Sequence, residues 1–225
     1  MGEDWLAPIL SLAGRTRAPV LPPIPWRLGG FGGAEGLAAY LREERIAALI
    51  DATHPFAQRI SANATLAAAA CGVPRLTLQR SGWRASPGDV WREVDDVAAA
   101  ARALGRIPRR VFLTIGRQEL APFRALAPQH DYLIRSVDAP EPGLLPPIAR
   151  ILTGRGPFDA AAEQRLMEGN GIAVVVTKNS GGSDGKLVAA RALRLPVILV
   201  ARPAPPEGDR VETVDAALTW LATLR

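Results

Sequence analysis

Of 27 basic side chains in this 225-residue chain only two are lysines, and both fall in one stretch, Thr177-Lys178-Asn179-Ser180-Gly181-Gly182-Ser183-Asp184-Gly185-Lys186. A sequence that uses Arg everywhere else keeps Lys where a flexible ammonium is wanted. Such a group pairs with carboxylate or phosphate, or delivers a proton once its pKa is lowered. A glycine-rich loop with solvated lysines is the plainer alternative. A P-loop is excluded, because Leu187 follows Lys186 where G-x-x-x-x-G-K-[ST] requires Ser or Thr.

Three further segments carry residues with chemical potential. In Ser11-Leu12-Ala13-Gly14-Arg15-Thr16, an apolar run ends in Gly-Arg-Thr. At that place in a dinucleotide site an Arg can pair with the 2′-phosphate of NADPH, whereas an acid would favour the free hydroxyl of NADH. On spacing alone, a surface arginine in a turn is the plainer reading of Arg15. Gly29-Gly30-Phe31-Gly32-Gly33 lets backbone approach a ligand and precedes a helical stretch with free N-terminal amides. A flexible turn would look the same, and the G-x-G-x-x-G fingerprint is not met. Asp51-Ala52-Thr53-His54-Pro55-Phe56-Ala57 follows the run Ala47–Ile50. Pro55 suits the first turn of the next helix, with Thr53 or His54 near its cap. His54, one of two histidines, could donate to a phosphate or orient a ring, or be purely structural; one histidine does not make a metal site. Thr114–Arg117, Arg135-Ser136 and Gly154–Phe158 add Arg and small residues after strands or before helices, and together could bind an acidic substrate.

The elements that position these loops alternate. Short apolar runs at Ile9–Ala13, Ala47–Asp51, Arg75–Leu78, Arg110–Ile115, Tyr132–Ser136, Ile172–Thr177 and Val197–Ala201 read as strands. Between and after them, helices are predicted over Ala34–Glu44, Phe56–Cys71, Val94–Leu104, Leu120–Ala127, Phe158–Glu168, Gly185–Leu193 and Val214–Leu224. Continuous apolar strands alternating with helices predict an α/β fold with parallel sheets covered on both faces. The length suits one large domain or two small ones. Gly105-Arg106-Ile107-Pro108 marks the expected boundary, giving domains 1–105 and 106–225 with a cleft between two Rossmann-like sheets. The Pro-rich stretch 139–147 reads as a connecting loop within the second.

Composition narrows the classes. With 48% hydrophobic and 22% charged residues the chain is that of a globular protein. No segment approaches the ~20 apolar residues of a membrane helix, and no export signal is visible at the start. Cys71 is the only cysteine, which rules out an internal disulfide and fits the cytoplasm. The net charge of +5 comes from scattered arginines with few aromatics, which suits a small anionic ligand better than nucleic acid.

SLAGRT, GGFGG, DATHPFA, Thr114–Arg117 and TKNSGG with Lys186, in this order, resemble precorrin-6A reductase of cobalamin biosynthesis along nearly the whole chain. The resemblance implies an NADPH-dependent oxidoreductase that saturates one C=C bond of a tetrapyrrole, delivering hydride to one carbon and a proton to its neighbour. It implies cofactor contacts from Gly14, Arg15, Thr16, Gly32, Thr53, His54 and Pro55 in the N-terminal domain. It implies contacts to the acidic macrocycle from Arg117, Arg135, Lys178, Asn179, Ser180, Gly181 and Lys186 in the other. Lys178, or a bound water, is the expected proton donor. No metal site, nucleic acid or membrane is expected to take part, and the expected state is a monomer. The alternatives are reduction of the cobalt-containing macrocycle and non-catalytic tetrapyrrole binding. The family opens with a strand and a G-G-T-x-E-A turn ahead of the SLAGRT segment. Here ten residues precede Ser11, so the first β-α unit, with much of the pyrophosphate contact, is expected to be missing.

Overall fold

The computed structural model describes residues 6–14, 19 and 21–224. The chain divides into two compact units. One holds the residues up to Gln79 together with those from Pro205 onward; the other is Arg80–Ala204.

The first unit contains β1 (Leu10–Leu12), β2 (Trp26–Leu28), α1 (Ala34–Glu43), β3 (Leu49–Asp51), α2 (Gln58–Cys71) and β4 (Arg75–Leu78). β1 and β2 form a parallel pair. β3 and β4 form a second parallel sheet, in which a strand from the end of the chain is the third member. α1 and α2 pack through Leu37, Ala38, Leu41, Ala64 and Ala67, with Phe31, Ile46 and Leu49 against them. Alanines at the contact let two helices approach closely. α2 ends at Gly72, whose left-handed φ of +64° suits a helix C-terminus.

The second unit contains β5 (Val90–Val94), α3 (Val97–Ala103), β6 (Arg110–Thr114), α4 (Ala121–Leu126), β7 (Asp131–Ser136), β8 (Ala149–Thr153), α5 (Ala160–Gly169), β9 (Val174–Lys178), α6 (Gly185–Ala192) and β10 (Pro196–Val200). Its sheet is parallel throughout, in the order β5-β10-β9-β6-β7-β8. The central strands are buried on both faces, as their apolar runs require: Val111, Phe112, Leu113, Val175 and Leu199 expose essentially nothing. Asp96 and Asp159 cap α3 and α5, accepting from Ala99 N at 2.6 Å and Ala162 N at 3.0 Å. Back in the first unit, β11 (Asp209–Val211) pairs with β4 and leads into α7 (Val214–Ala222), capped by Thr213.

The α/β class with parallel sheets is as the sequence predicts, but the boundary is not. Gly105–Pro108 is the α3–β6 connection inside the second unit. Residues 80–105 belong there because β5 hydrogen-bonds to β10 along its whole length, Val90 to Val94 against Pro196 to Val200. The C-terminal segment leaves that unit because β11 pairs with β4. Each unit thus takes an edge strand that sequence order alone would give to the other. The stretch 139–147 is a connection within the second unit, with one 3-10 turn at Pro142–Leu144.

Candidate functional site

Sheet order points to one place in the second unit. From β6 the chain moves outward to β7 and β8, then crosses back to β9 on the other side of β6. Ligands bind beyond the carboxyl ends of parallel strands at such a reversal. The loops that follow β6 and β9 there carry Gly116–Glu119 and the two-lysine segment.

Lys178 ends β9 and is buried, 7% exposed. Its Nζ donates to the Glu119 carboxylate, so a charge taken out of water is paired, as burial demands. Arg117 faces Asp138 at 3.8 Å. These two ion pairs bridge neighbouring loops at the sheet's carboxyl edge.

The remainder of the segment frames a cavity of about 310 Å³, to which Ser180–Ser183, Gly185 and Lys186 contribute together with Arg80, Trp83, Arg135, Phe158 and Glu163. Arg135, near the end of β7, and Glu163, on the first turns of α5, form a buried bidentate pair; Nη2 donates to Oε2 at 2.7 Å. The Arg135 guanidinium also lies over Phe158, 3.7 Å from the ring centre, and 4.8 Å from that of Phe112. Two rings and a carboxylate therefore hold it in one plane. Glu163→Ala would leave that charge buried and unpaired. The expected cost is about 3–5 kcal/mol of stability, read from urea unfolding; wild-type stability would mean that Arg135 finds another partner.

Lys186 sits on α6 with its Nζ 4.3 Å from the centre of the Trp83 ring. Removal from water, and then the nearby Arg135 and Arg80 charges, push its pKa down to about 8, with Glu163 and Asp184 pulling the other way. α6 begins at Gly185 without a side-chain cap, leaving the positive end of the helix available. A β-carbon at Gly185 would stand 2.4 Å from the Phe158 carbonyl oxygen, so this approach of α6 to the start of α5 needs glycine. Three cations against one internal carboxylate, with aromatic walls, suit a carboxylate carried on an apolar skeleton.

The loop's shape depends on residues far away in sequence. Asn179 Oδ1 accepts from Trp83 N at 2.7 Å, and its Nδ2 donates to Trp83 O at 3.1 Å. Arg80 Nε donates to Ser180 O at 2.9 Å, and Trp83 Nε1 to Gly182 O at 3.0 Å. Asn179 is thus committed to joining the segment to 80–83.

In the first unit, Gly14 follows β1 with φ +71°, next to Gly29, whose N–H donates to Leu12 O at 2.9 Å. Gly32 has φ +80° in the turn before α1, which opens at Gly33 without a side-chain cap. Arg27 folds this turn: it donates to Ser11 Oγ and Gly29 O, both at 3.0 Å, and stacks 3.8 Å from the Phe31 ring centre. Thr53 donates through both N and Oγ1 to Asp51 Oδ1, at 3.0 and 2.7 Å. His54 is exposed and accepts from Phe56 N at 3.3 Å through Nδ1. Pro55 precedes α2 rather than opening it, because the chain makes a turn through Pro55-Phe56 before the helix begins at Gln58. Arg15 and Thr16 lie outside the described residues.

The structure therefore gathers Arg135, Ser180, Gly181 and Lys186 in one cavity, and places Lys178 and Arg117 in separate ion pairs. Sequence reasoning missed Arg80, Trp83 and Glu163. The only sequence signals for them were a Trp between two turn-forming stretches and an acid four residues after a capping Asp.

The family model described as precorrin-6x reductase CbiJ/CobK matches residues 2–222. A precorrin-6A reductase of Rhodobacter capsulatus is 50% identical over 99% of this chain and 89% of its own length. A cobalt-precorrin-6A reductase of Priestia megaterium is 32% identical over 75% of this chain and 70% of its own. A solved CobK precorrin-6A reductase superposes with a TM-score of 0.92 at 50% identity, covering 96% of this chain and 86% of the other. With matches of this extent to both sequence and fold, the chain belongs to the precorrin-6x reductase CbiJ/CobK family.

Proposed function

We propose that this protein reduces precorrin-6A in cobalamin biosynthesis with NADPH as the reductant. The second unit holds the substrate and the first the cofactor. The observation that carries the substrate side is the 310 Å³ cavity with Arg80, Arg135 and Lys186 in its wall. A tetrapyrrole with carboxylate side chains offers the matching anion on an apolar frame. NADPH supplies hydride to one carbon of the reduced double bond. The first unit's residues suit that cofactor: the Gly14 and Gly29–Gly33 turns expose backbone at positive φ, and the uncapped start of α1 favours a phosphate.

Lys178 is the group proposed to donate the proton that completes saturation. Its ammonium becomes a neutral amine, and a proton from water restores it. Lys178→Ala is expected to lower kcat about 10²-fold or more with a smaller change in KM; a wild-type kcat would remove it from the reaction.

The assay is loss of reduced-nicotinamide absorbance on anaerobic incubation with precorrin-6A, run in parallel with cobalt-precorrin-6A and with NADH. Turnover of the metal-free macrocycle with NADPH is expected. The higher identity to the precorrin-6A reductase than to the cobalt enzyme favours that substrate. Macrocycle binding without nicotinamide oxidation would identify a carrier instead.

A further inference from the structure

Asp51 ends β3 and is 5% exposed. Its two oxygens are treated very differently. Oδ1 accepts from Thr53 N at 3.0 Å and from Thr53 Oγ1 at 2.7 Å. Since the Thr53 hydroxyl proton goes to Asp51, the hydroxyl of Ser61 on α2, 3.2 Å away, is the donor to Thr53 Oγ1. The chain Ser61 to Thr53 to Asp51 fixes the carboxylate plane. Oδ2 is buried and has no partner among the described residues. A carboxylate oxygen hidden from water without a donor is costly and calls for an explanation, and a donor that arrives with a ligand supplies one.

The position of that oxygen narrows the donor. It stands at the carboxyl end of a strand in a parallel sheet, where ligands of this architecture bind. A phosphate is repelled by a fixed carboxylate, so the phosphorylated parts of a dinucleotide do not belong here. The adenosine of NADPH carries a 2′-phosphate on its ribose. Its 3′-hydroxyl stands beside that phosphate, which leaves the adenine N–H₂ as the neutral donor clear of phosphate on that half, whereas the nicotinamide half presents two free ribose hydroxyls and a carboxamide N–H₂. We infer that Asp51 accepts a hydrogen bond through Oδ2 from the nicotinamide-ribosyl end of the cofactor, and so sets which end of the dinucleotide lies against β3. This inference rests on the NADPH reading of the first unit. It adds a residue and an orientation that reading does not contain.

Asp51→Asn tests it. The amide keeps the shape and can still accept from Thr53, but turns the free acceptor into a donor. The variant and wild type are titrated with NADPH and with 2′,5′-ADP, which has only the adenosine half, and their thermal midpoints are compared. The expected result is NADPH affinity about tenfold or more weaker, with 2′,5′-ADP affinity unchanged and a near wild-type midpoint. Equal NADPH affinities overturn the role of Asp51 and leave the cofactor reading standing. An equal loss for both ligands overturns the orientation. Wild type that fails to bind NADPH saturably overturns the cofactor reading and this inference with it. Should Asp51→Asn not fold, Ser61→Ala frees the Thr53 hydroxyl to rotate and is expected to weaken NADPH roughly threefold while sparing 2′,5′-ADP. Unchanged NADPH binding in that variant overturns the inference.

Discussion

Lys186→Met is expected to weaken substrate binding near neutral pH by about 10- to 100-fold, the range of a charge-assisted hydrogen bond lost from a sheltered site. Arg135 is already tied to Glu163, and Arg80 to the Ser180 carbonyl. Lys186 is therefore the cation of the cavity with the most charge to spare for a ligand. The pH dependence sharpens the test. Burial and the neighbouring arginines bring the ammonium from 10.5 down to about 8. A carboxylate ligand needs the charged form, so affinity is full below about 8 and falls as pH rises through it. Lys186→Arg keeps the charge and is expected to bind across that window with no fall. In the unliganded protein the sign is opposite. Between about 8 and 10.5 the unfolded chain binds more protons than the folded one, so Lys186 makes the fold more stable as pH rises there. Wild-type affinity in Lys186→Met, or a pH profile that survives Lys186→Arg, would remove Lys186 from the binding site.

Gly181→Ala is expected to cause the largest loss of stability of any single methyl in the two-lysine loop. Gly181 has φ +67°, and a β-carbon there would stand 2.0 Å from the Ser81 carbonyl oxygen. The left-handed conformation costs an alanine ~1–2 kcal/mol. Relieving the overlap with backbone must also move the Arg80–Trp83 segment that the loop is bonded to. A total of about 3 kcal/mol follows, in the upper range for a point substitution, and a thermal midpoint lowered by roughly 6–12 °C. Substrate affinity is expected to fall with it, since Arg80 and Trp83 line the same cavity. An unchanged midpoint would mean that the loop is not anchored at Ser81.

These two expectations separate what the sequence discloses from what it hides. The two-lysine loop was legible because Lys is otherwise absent, and the strand before it because Val174–Val176 is uniformly apolar. Strands buried on both faces were all found this way. The four that were not, Trp26–Leu28, Val90–Val94, Ala149–Thr153 and Asp209–Val211, each contain an arginine and no fully buried residue. An apolar run does not mark a strand whose outer face meets water. Two of them, β5 and β11, decide the unit boundary, which is why the boundary was misplaced. Arg80 and Glu163 were hidden for a different reason. Glu163 reads as an ordinary acid on the first turns of a helix, and only the fold brings it to Arg135, 28 residues earlier. Long-range pairing leaves no local pattern.

The most direct measurement is a crystal structure of the protein with the precorrin macrocycle bound. A macrocycle carboxylate is expected in the second unit's cavity, within ~3 Å of Lys186 Nζ, with Trp83 and Phe158 against the ring edge. A bound macrocycle that leaves this cavity to solvent, with every carboxylate held elsewhere, would contradict it.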